Sequence, residues 1–293
     1  MAEWSAEIEV DELLARRLVS AQFPQLALQS LELVGAGWDN TVWRVDGEWA
    51  FRFPRREIAI PGVVRELAVL PIIAPQLPVP VPEPVFVGEP SGEYPWPFFG
   101  ARCLTGREPA DAALDDEGRA RLARPLAQFL RVLHALEAEV DLPEDPLRRT
   151  DMSFRVMRAE ETLVEAVRRG LWRAPRRVHE IFEVARGLPV PPATSLVHGD
   201  LHLRHVLVEA GELAAVIDWG DACRADPCVD FLLYWCLLPP AGRTEFLDAY
   251  GPVEEEQLLR ARVLSLMICA VLAYSSDGRH ADEAVAGLER TLR

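Results

Sequence analysis

His198-Gly199-Asp200-Leu201-His202-Leu203-Arg204-His205 is followed, twelve residues past its last histidine, by Ile217-Asp218-Trp219-Gly220. A short apolar run, residues 195–197, leads into the first stretch and predicts a strand that delivers Asp200 into a loop. Gly199 permits the tight backbone that such a turn needs. Residues 206–208 and 213–217 flank Glu209-Ala210-Gly211-Glu212 and predict a hairpin, so Asp218 stands at the end of its second strand. Three of the six histidines fall within these eight residues, which makes chance clustering a poor account.

Working outward, the chain changes character around residue 110. Residues 9–21 have helical spacing through Leu13, Leu14, Leu18 and Val19. Residues 31–34, 41–45 and 49–53 are short, β-branched and aromatic, and are parted by Gly35-Ala36-Gly37 and by the hairpin signal Asp46-Gly47. Residues 57–70 return to helical spacing through Val63, Leu67 and Leu70, and Pro61 and Gly62 blur the start. The alternating prolines of residues 78–84 exclude helix and favour an extended segment. Strands follow at 85–87 and 98–104. Beyond about 112 the pattern is helical: a strong apolar stripe over 119–136, then 151–169, 175–186 and the region after 226. The fold class expected is α+β and bilobal: a small β-rich N-terminal lobe over 1–104, a connector over 105–110 and a larger, mostly helical lobe over 111–293.

Composition narrows the partners. The net charge of −15 disfavours nucleic acid, whose backbone needs clustered positive charge. It is compatible with a cationic small molecule, and equally with solubility alone. No run of about eighteen apolar residues appears, so a membrane span is not expected. The acidic start, with Glu3, Glu7, Glu9, Asp11 and Glu12, lacks the look of a signal peptide. Five irregularly spaced cysteines then read as reduced thiols of a cytoplasmic protein, and the spacing of Cys223 and Cys228 is a poor match to a zinc knuckle. No protein partner is implied. The chain has no lysine, so all 31 basic residues are arginines, and Asn40 is its one asparagine. Chemistry that elsewhere uses a phosphate-binding lysine, or an asparagine on a metal near Asp200, needs a substitute here.

A loop aspartate, a metal-ligand residue type five positions on and a second aspartate after a hairpin form a layout suited to phosphoryl transfer. Asp200 would orient a hydroxyl acceptor and take its proton late. Asp218 and His205 would hold divalent metal, Mg2+ or, given an imidazole ligand, Mn2+. His202 is expected to support the loop by hydrogen bonds, and His198 to brace its backbone. Arg52, between Phe51 and Phe53, points to the opposite strand face from its neighbours and can reach nucleotide phosphates, with Glu66 of the following helix as its partner. Gly37, in the glycine turn, could offer backbone amides to phosphate. Asp226-Pro227 and Asp230 read as helix capping.

Together these residues resemble the aminoglycoside phosphotransferase family, small-molecule kinases with a protein-kinase-like fold. The resemblance spans about 25–240. It is strong at His198–His205 and Ile217–Gly220, and weaker at Trp38–Val42 and Phe51–Pro54. It implies Asp200 as the catalytic aspartate, Asp218 as a metal aspartate, Arg52 and Glu66 as the ATP-binding pair, and adenine held by backbone near Arg102, Cys103 and Leu104. Most members have asparagine where His205 stands; the histidine looks like the macrolide phosphotransferase branch. The expected function is ATP- or GTP-dependent phosphorylation of a small-molecule hydroxyl, with antibiotics such as aminoglycosides or macrolides among the acceptors. A catalytically silent nucleotide or metabolite sensor is the main alternative. A metal-dependent hydrolase using the histidine cluster leaves Asp218 and Arg52 unexplained, and a protein kinase lacks a recognisable activation segment after Asp218.

Overall fold

The computed structural model describes residues 5–293, and Glu3 lies outside them. The chain divides into two compact units. Among the described residues, one comprises 5–75, 81–104 and Trp219–Asp221; the other comprises 76–80, 105–218 and 222–293.

The first unit is a five-stranded antiparallel sheet with two helices. Helix α1, Glu12–Gln22, starts at Asp11, whose carboxylate accepts from the Leu14 amide at 2.8 Å. It buries Leu14, Leu18 and Val19, whereas Leu13, expected in the same stripe, is 67% exposed. Strands β1 (Leu31–Ala36), β2 (Asn40–Val45), β3 (Trp49–Pro54), β4 (Pro84–Gly88) and β5 (Phe98–Arg102) lie in the order β1-β2-β3-β5-β4. Asp46 and Gly47 take left-handed φ of 53° and 70° in the three-residue loop between Val45 and Trp49, a conformation that aspartate and glycine reach more readily than most residues. Alternation along β3 sends Phe51 and Phe53 into an aromatic core with Phe23, Tyr94 and Phe98, and leaves Arg52 on the other face. Gly100 on β5 is a packing requirement: a Cβ there would lie 2.6 Å from the Phe51 ring. β5 stops at Arg102 rather than at 104. Helix α2, Ile60–Ile73, follows a 3-10 turn over Glu57–Ala59, and Pro61 sits in its first turn, where a missing N–H costs little. Gly62 faces Gly220; a Cβ on Gly62 would lie 3.4 Å from the Gly220 Cα.

The second unit is mainly helical. Its helices are α3 (Asp116–Arg121), α4 (Ala123–Ala135), α5 (Met152–Arg168), α6 (Arg176–Ala185), α7 (Leu232–Cys236), α8 (Pro240–Tyr250), α9 (Glu255–Ser275) and α10 (Gly278–Thr291). The apolar stripe expected as one helix over 119–136 is broken at Leu122 into α3 and α4. Helix α9 packs against α5, α6, α7 and α10. By length and composition it could cross a membrane, as could the helical run 57–76, which the apolar-run criterion had not anticipated. Within its unit, however, α9 buries Val263, Leu264, Leu266 and Cys269 and carries Arg260, a pattern suited to a core helix. Two small sheets frame the functional loops: β6 (Ser195–Val197) pairs with β9 (Cys223–Ala225), and β7 (Val206–Glu209) forms a hairpin with β8 (Glu212–Val216).

Candidate active site

β6 ends at Val197 and the chain turns at Gly199, whose φ is 88°. Asp230, wholly buried, holds this turn. Its two carboxylate oxygens accept from the His198 amide at 2.7 Å and the Gly199 amide at 2.9 Å. His134 of α4 lies 3.1 Å from the same carboxylate through Nε2, and its Nδ1 lies 2.8 Å from the Tyr250 hydroxyl. Burial alone would push the Asp230 carboxyl up; the His134 hydrogen bond, the neighbouring imidazoles and the Gly199 amide outweigh it and hold the group below its usual range. Capping does not describe this residue: it is the brace of the His198–Asp200 turn. The cap of the short 3-10 helix Pro227–Asp230 is Asp226, which accepts from the Cys228 amide at 2.8 Å.

The protonation of each imidazole follows from its partners. His198 Nε2 faces the Ile217 carbonyl at 3.0 Å, and a carbonyl only accepts, so Nε2 carries the proton. Its Nδ1 accepts from the Asp200 amide at 3.2 Å. Burial pushes this imidazole down to about 4, so it is neutral near pH 7. His202 Nδ1 accepts from the Arg204 amide at 3.2 Å, which leaves the proton on Nε2, 3.5 Å from Asp200 Oδ2. Burial likewise drives His202 well below its ordinary value. His205 is set the other way. Its Nδ1 donates to the Asp200 carbonyl at 2.7 Å, and its Nε2 lies 3.4 Å from Asp218 Oδ2. The rings of His202 and His205 stack with centroids 3.8 Å apart.

These assignments test the fit of a divalent cation. Ligand atoms of Asp200, His202 and His205 lie within 4.8 Å of one another. His202 uses both nitrogens in its own contacts, one accepting and one protonated, so it orients Asp200 rather than offering a lone pair. His205 Nε2 faces a carboxylate oxygen of Asp218, 3.4 Å away. A cation held by that nitrogen and that oxygen would draw on the Nε2 lone pair, and the backbone carbonyl on Nδ1 is the outer contact that commonly fixes a ligating imidazole. Asp218 itself has φ of 68°, a left-handed conformation that asparagine and aspartate adopt more readily than bulkier residues and that recurs at functional sites.

The first unit carries the remaining candidates. Arg52 Nη1 donates to Glu66 Oε1 at 2.9 Å, with side chains 16% and 0% exposed. Glu66 Oε1 also accepts from the Trp219 amide at 3.0 Å. Its neighbour Arg65 donates through Nε to the Gly220 carbonyl at 2.7 Å. Gly37 is differently placed from expectation. Its amide donates to the Asn40 carbonyl at 2.9 Å and its carbonyl accepts from Arg55 at 2.7 Å, so this amide serves the turn and not an anion. Arg102 has its side chain on Glu48, at 2.5 Å, and over the Trp49 ring. The Cys103 amide donates to the Glu48 carbonyl at 2.7 Å, and Leu104 lies just past the end of β5. Sequence reasoning missed Asn40. With its amide oriented as its neighbours require, the oxygen accepts from Arg52 Nη2 at 2.8 Å and Nε at 3.0 Å.

The sequence model of the phosphotransferase enzyme family matches residues 30–263. A stretch of 61 residues is 38% identical to the uncharacterized protein YcbJ of Bacillus subtilis (strain 168), an alignment spanning only 20% of each chain. Among solved structures, the GDP complex of wild-type aminoglycoside 2'-phosphotransferase-IIIa superimposes with a TM-score of 0.71 at 24% identity, covering 96% of this chain and 98% of that one. The apoenzyme of macrolide 2'-phosphotransferase MphH from Brachybacterium faecium gives 0.62 at 23% identity, covering 94% and 98%. These two likenesses establish the fold; the family match, extending over most of the chain, goes further. The chain belongs to the phosphotransferase enzyme family and, with it, to the kinase-type enzymes.

Proposed function

We propose that this chain transfers the γ-phosphoryl group of ATP or GTP to a hydroxyl of a small molecule. The observation that carries the reading is the arrangement around His205: Asp200 within 3.7 Å of its Nδ1, Asp218 within 3.4 Å of its Nε2, and Nδ1 held by the Asp200 carbonyl at 2.7 Å. Asp200, with its Oδ2 near the Nε2–H of His202, accepts the hydrogen bond of the acceptor hydroxyl. It takes the proton as the oxygen–phosphorus bond forms and the bond to the departing nucleoside diphosphate breaks. His205 and Asp218 would hold Mg2+ or Mn2+, which supplies neutralisation of the phosphate charge. Arg52, aligned by Glu66, contacts phosphate oxygens. In this reading 1–104 bind nucleotide, 105–110 connect, 111–293 carry the catalytic and acceptor groups, and the protein works in the cytoplasm.

The acceptor class is drawn from the relatives. Solved members of the same fold include aminoglycoside and macrolide 2'-phosphotransferases, and one is a complex with gentamicin. Antibiotics of those two classes are therefore the first acceptors to try, and the net charge of −15 suits a cationic one. The test is thermal stability with ATP or GTP, each with Mg2+ or Mn2+, on the wild type and Asp218→Ala. A metal-dependent nucleotide shift that Asp218→Ala abolishes supports the reading, and acceptor screening follows. No shift under any combination sinks it.

A further inference from the structure

Arg52 occupies a position where a nucleotide-binding chain needs a fixed positive charge, and this chain contains no lysine to put there. An arginine brings a problem of its own. Its guanidinium is a flat fork with five donors, and its usefulness depends on the plane being set before the ligand arrives. A single carboxylate at one nitrogen leaves that plane free to rotate.

The sheet solves this from the next strand. Val42 pairs with Arg52 across β2 and β3, and Asn40 pairs with Pro54. Side chains two apart on a strand share a face, so Asn40 is the diagonal neighbour of Arg52, on the side away from the aromatic core. From there its amide oxygen takes the Nε–H and Nη2–H edge, at 3.0 and 2.8 Å, while Glu66 takes Nη1 at 2.9 Å. At least three of the five N–H bonds are thus engaged, on two different edges of the fork. Contacts on two edges restrain the rotation of the plane.

We infer that Asn40 is a positioning residue for the nucleotide: it locks the guanidinium plane of Arg52 in the orientation that phosphate oxygens meet. The inference rests on the function proposed above and deepens it. The amide is suited to the task because it is neutral. Arg52 and Glu66 together carry no net charge. An aspartate at position 40 would hold the fork as firmly but give the trio a charge of −1, which opposes a triphosphate. A lysine at 52 could not satisfy both partners, because its ammonium is a point donor on a flexible stem.

The experiment is calorimetric titration of ATP and of GTP, each with Mn2+, into wild type, Asn40→Ala, Asn40→Asp, Arg52→Ala and the double variant Asn40→Ala/Arg52→Ala. Nucleotide-free melting is recorded alongside. Asn40→Ala is expected to raise Kd about tenfold, the equivalent of roughly one hydrogen-bond pair lost from preorganisation. Asn40→Asp is expected to raise it by at least as much while melting no lower than wild type. In the Arg52→Ala background, Asn40→Ala should change Kd by less than about twofold, because there is no fork left to orient. Should Asn40→Ala fail to fold, Asn40→Ser and Asn40→Ser/Arg52→Ala take its place in the same comparison, with the same outcomes expected. Wild-type affinity in the Asn40 variants, or an equal loss with and without Arg52, overturns the inference and leaves the phosphotransferase reading standing. A wild type that binds neither nucleotide overturns both.

Discussion

Replacing Asp230 by asparagine removes one charge and keeps the shape, which makes it a sharp probe of how the Asp200 loop is held. The carboxylate accepts from the His198 and Gly199 amides at 2.7 and 2.9 Å and lies 3.1 Å from His134 Nε2, with no solvent exposure. An asparagine has one oxygen and one NH2 group. One of the two amides keeps a partner but loses the charge-assisted share of its bond, about 1 kcal/mol. The other meets a donor and is left buried without an acceptor, at about 1–3 kcal/mol. The expected loss is therefore roughly 2–4 kcal/mol. The change also displaces the turn that carries Asp200, and a shift on the order of 1 Å at a reacting group can cost about a hundredfold in rate.

The loss has a defined pH dependence. Asp230 titrates below its unfolded value, so its contribution is complete above the unfolded carboxyl range near 4 and declines as pH falls through the depressed folded value. The gap between wild type and Asp230→Asn should accordingly be full at pH 7 and narrow only in strong acid. Urea unfolding at pH 7 and at pH 3, with phosphotransfer assayed at pH 7, measures both parts. A variant within about 0.5 kcal/mol of wild type at pH 7 refutes the bracing argument, since that is the scatter of inert surface changes.

Three further outcomes are expected. His198 is buried and held near 4 against an ordinary value of 6.5, so the unfolded chain takes up a proton first as pH falls, and stability is lost between about 6.5 and 4. That amounts to about 3 kcal/mol, visible as a steep fall in urea midpoint over this window in chelator-treated protein; a flat profile contradicts the neutral assignment. His205→Asn should keep a metal-dependent nucleotide shift with Mg2+ and lose any preference for Mn2+, whereas His205→Ala should lose the shift altogether; equal metal profiles in all three proteins would remove His205 from the metal site. Gly100→Ala places a methyl against the Phe51 ring and should destabilise by about 1–3 kcal/mol, read from the thermal midpoint, with a neutral result showing that the aromatic core can yield.

Short-range signals were the legible ones. Asp46-Gly47 and Gly211 announced their hairpins because the left-handed conformations they adopt are written in residue type, whereas Ala210 takes the same conformation without such a signal. Arg52 was assigned to the face opposite Phe51 and Phe53 because strand alternation has a period of two. The grouping of Asp200, His205 and Asp218 could be anticipated because a short hairpin returns the chain to its starting point. What escaped was set by distant partners. Asp230 lies 31 residues from the Gly199 amide that it holds, and local composition there looked like an ordinary helix start. Strand β9 consists of three residues, Cys223–Ala225, paired on one side with β6 and on the other with Pro143–Asp145, partners distant in sequence. Leu13 entered the stripe of α1 by spacing yet faces outward, since periodicity defines a face and not its edges. Asn40 lay within the Trp38–Val42 resemblance, yet its contact with Arg52 could not be read there, because it forms across two strands.

Glu66 bears on inhibitor chemistry. It accepts at once from Arg52 and from the Trp219 amide, while Arg65 and Gly62, on the same helix, hold Gly220 by a hydrogen bond and by close packing. Swinging α2 outward would strand a fully buried carboxylate, a guanidinium, an amide and a carbonyl in one step. Breaking a buried ion pair by itself costs about 3–5 kcal/mol. A compound that captures such a displaced helix would have to supply that sum from its own contacts, a handicap of roughly two to four decades in affinity. Compounds that accept the helix where it stands carry no such handicap, and for this protein they are the better starting point.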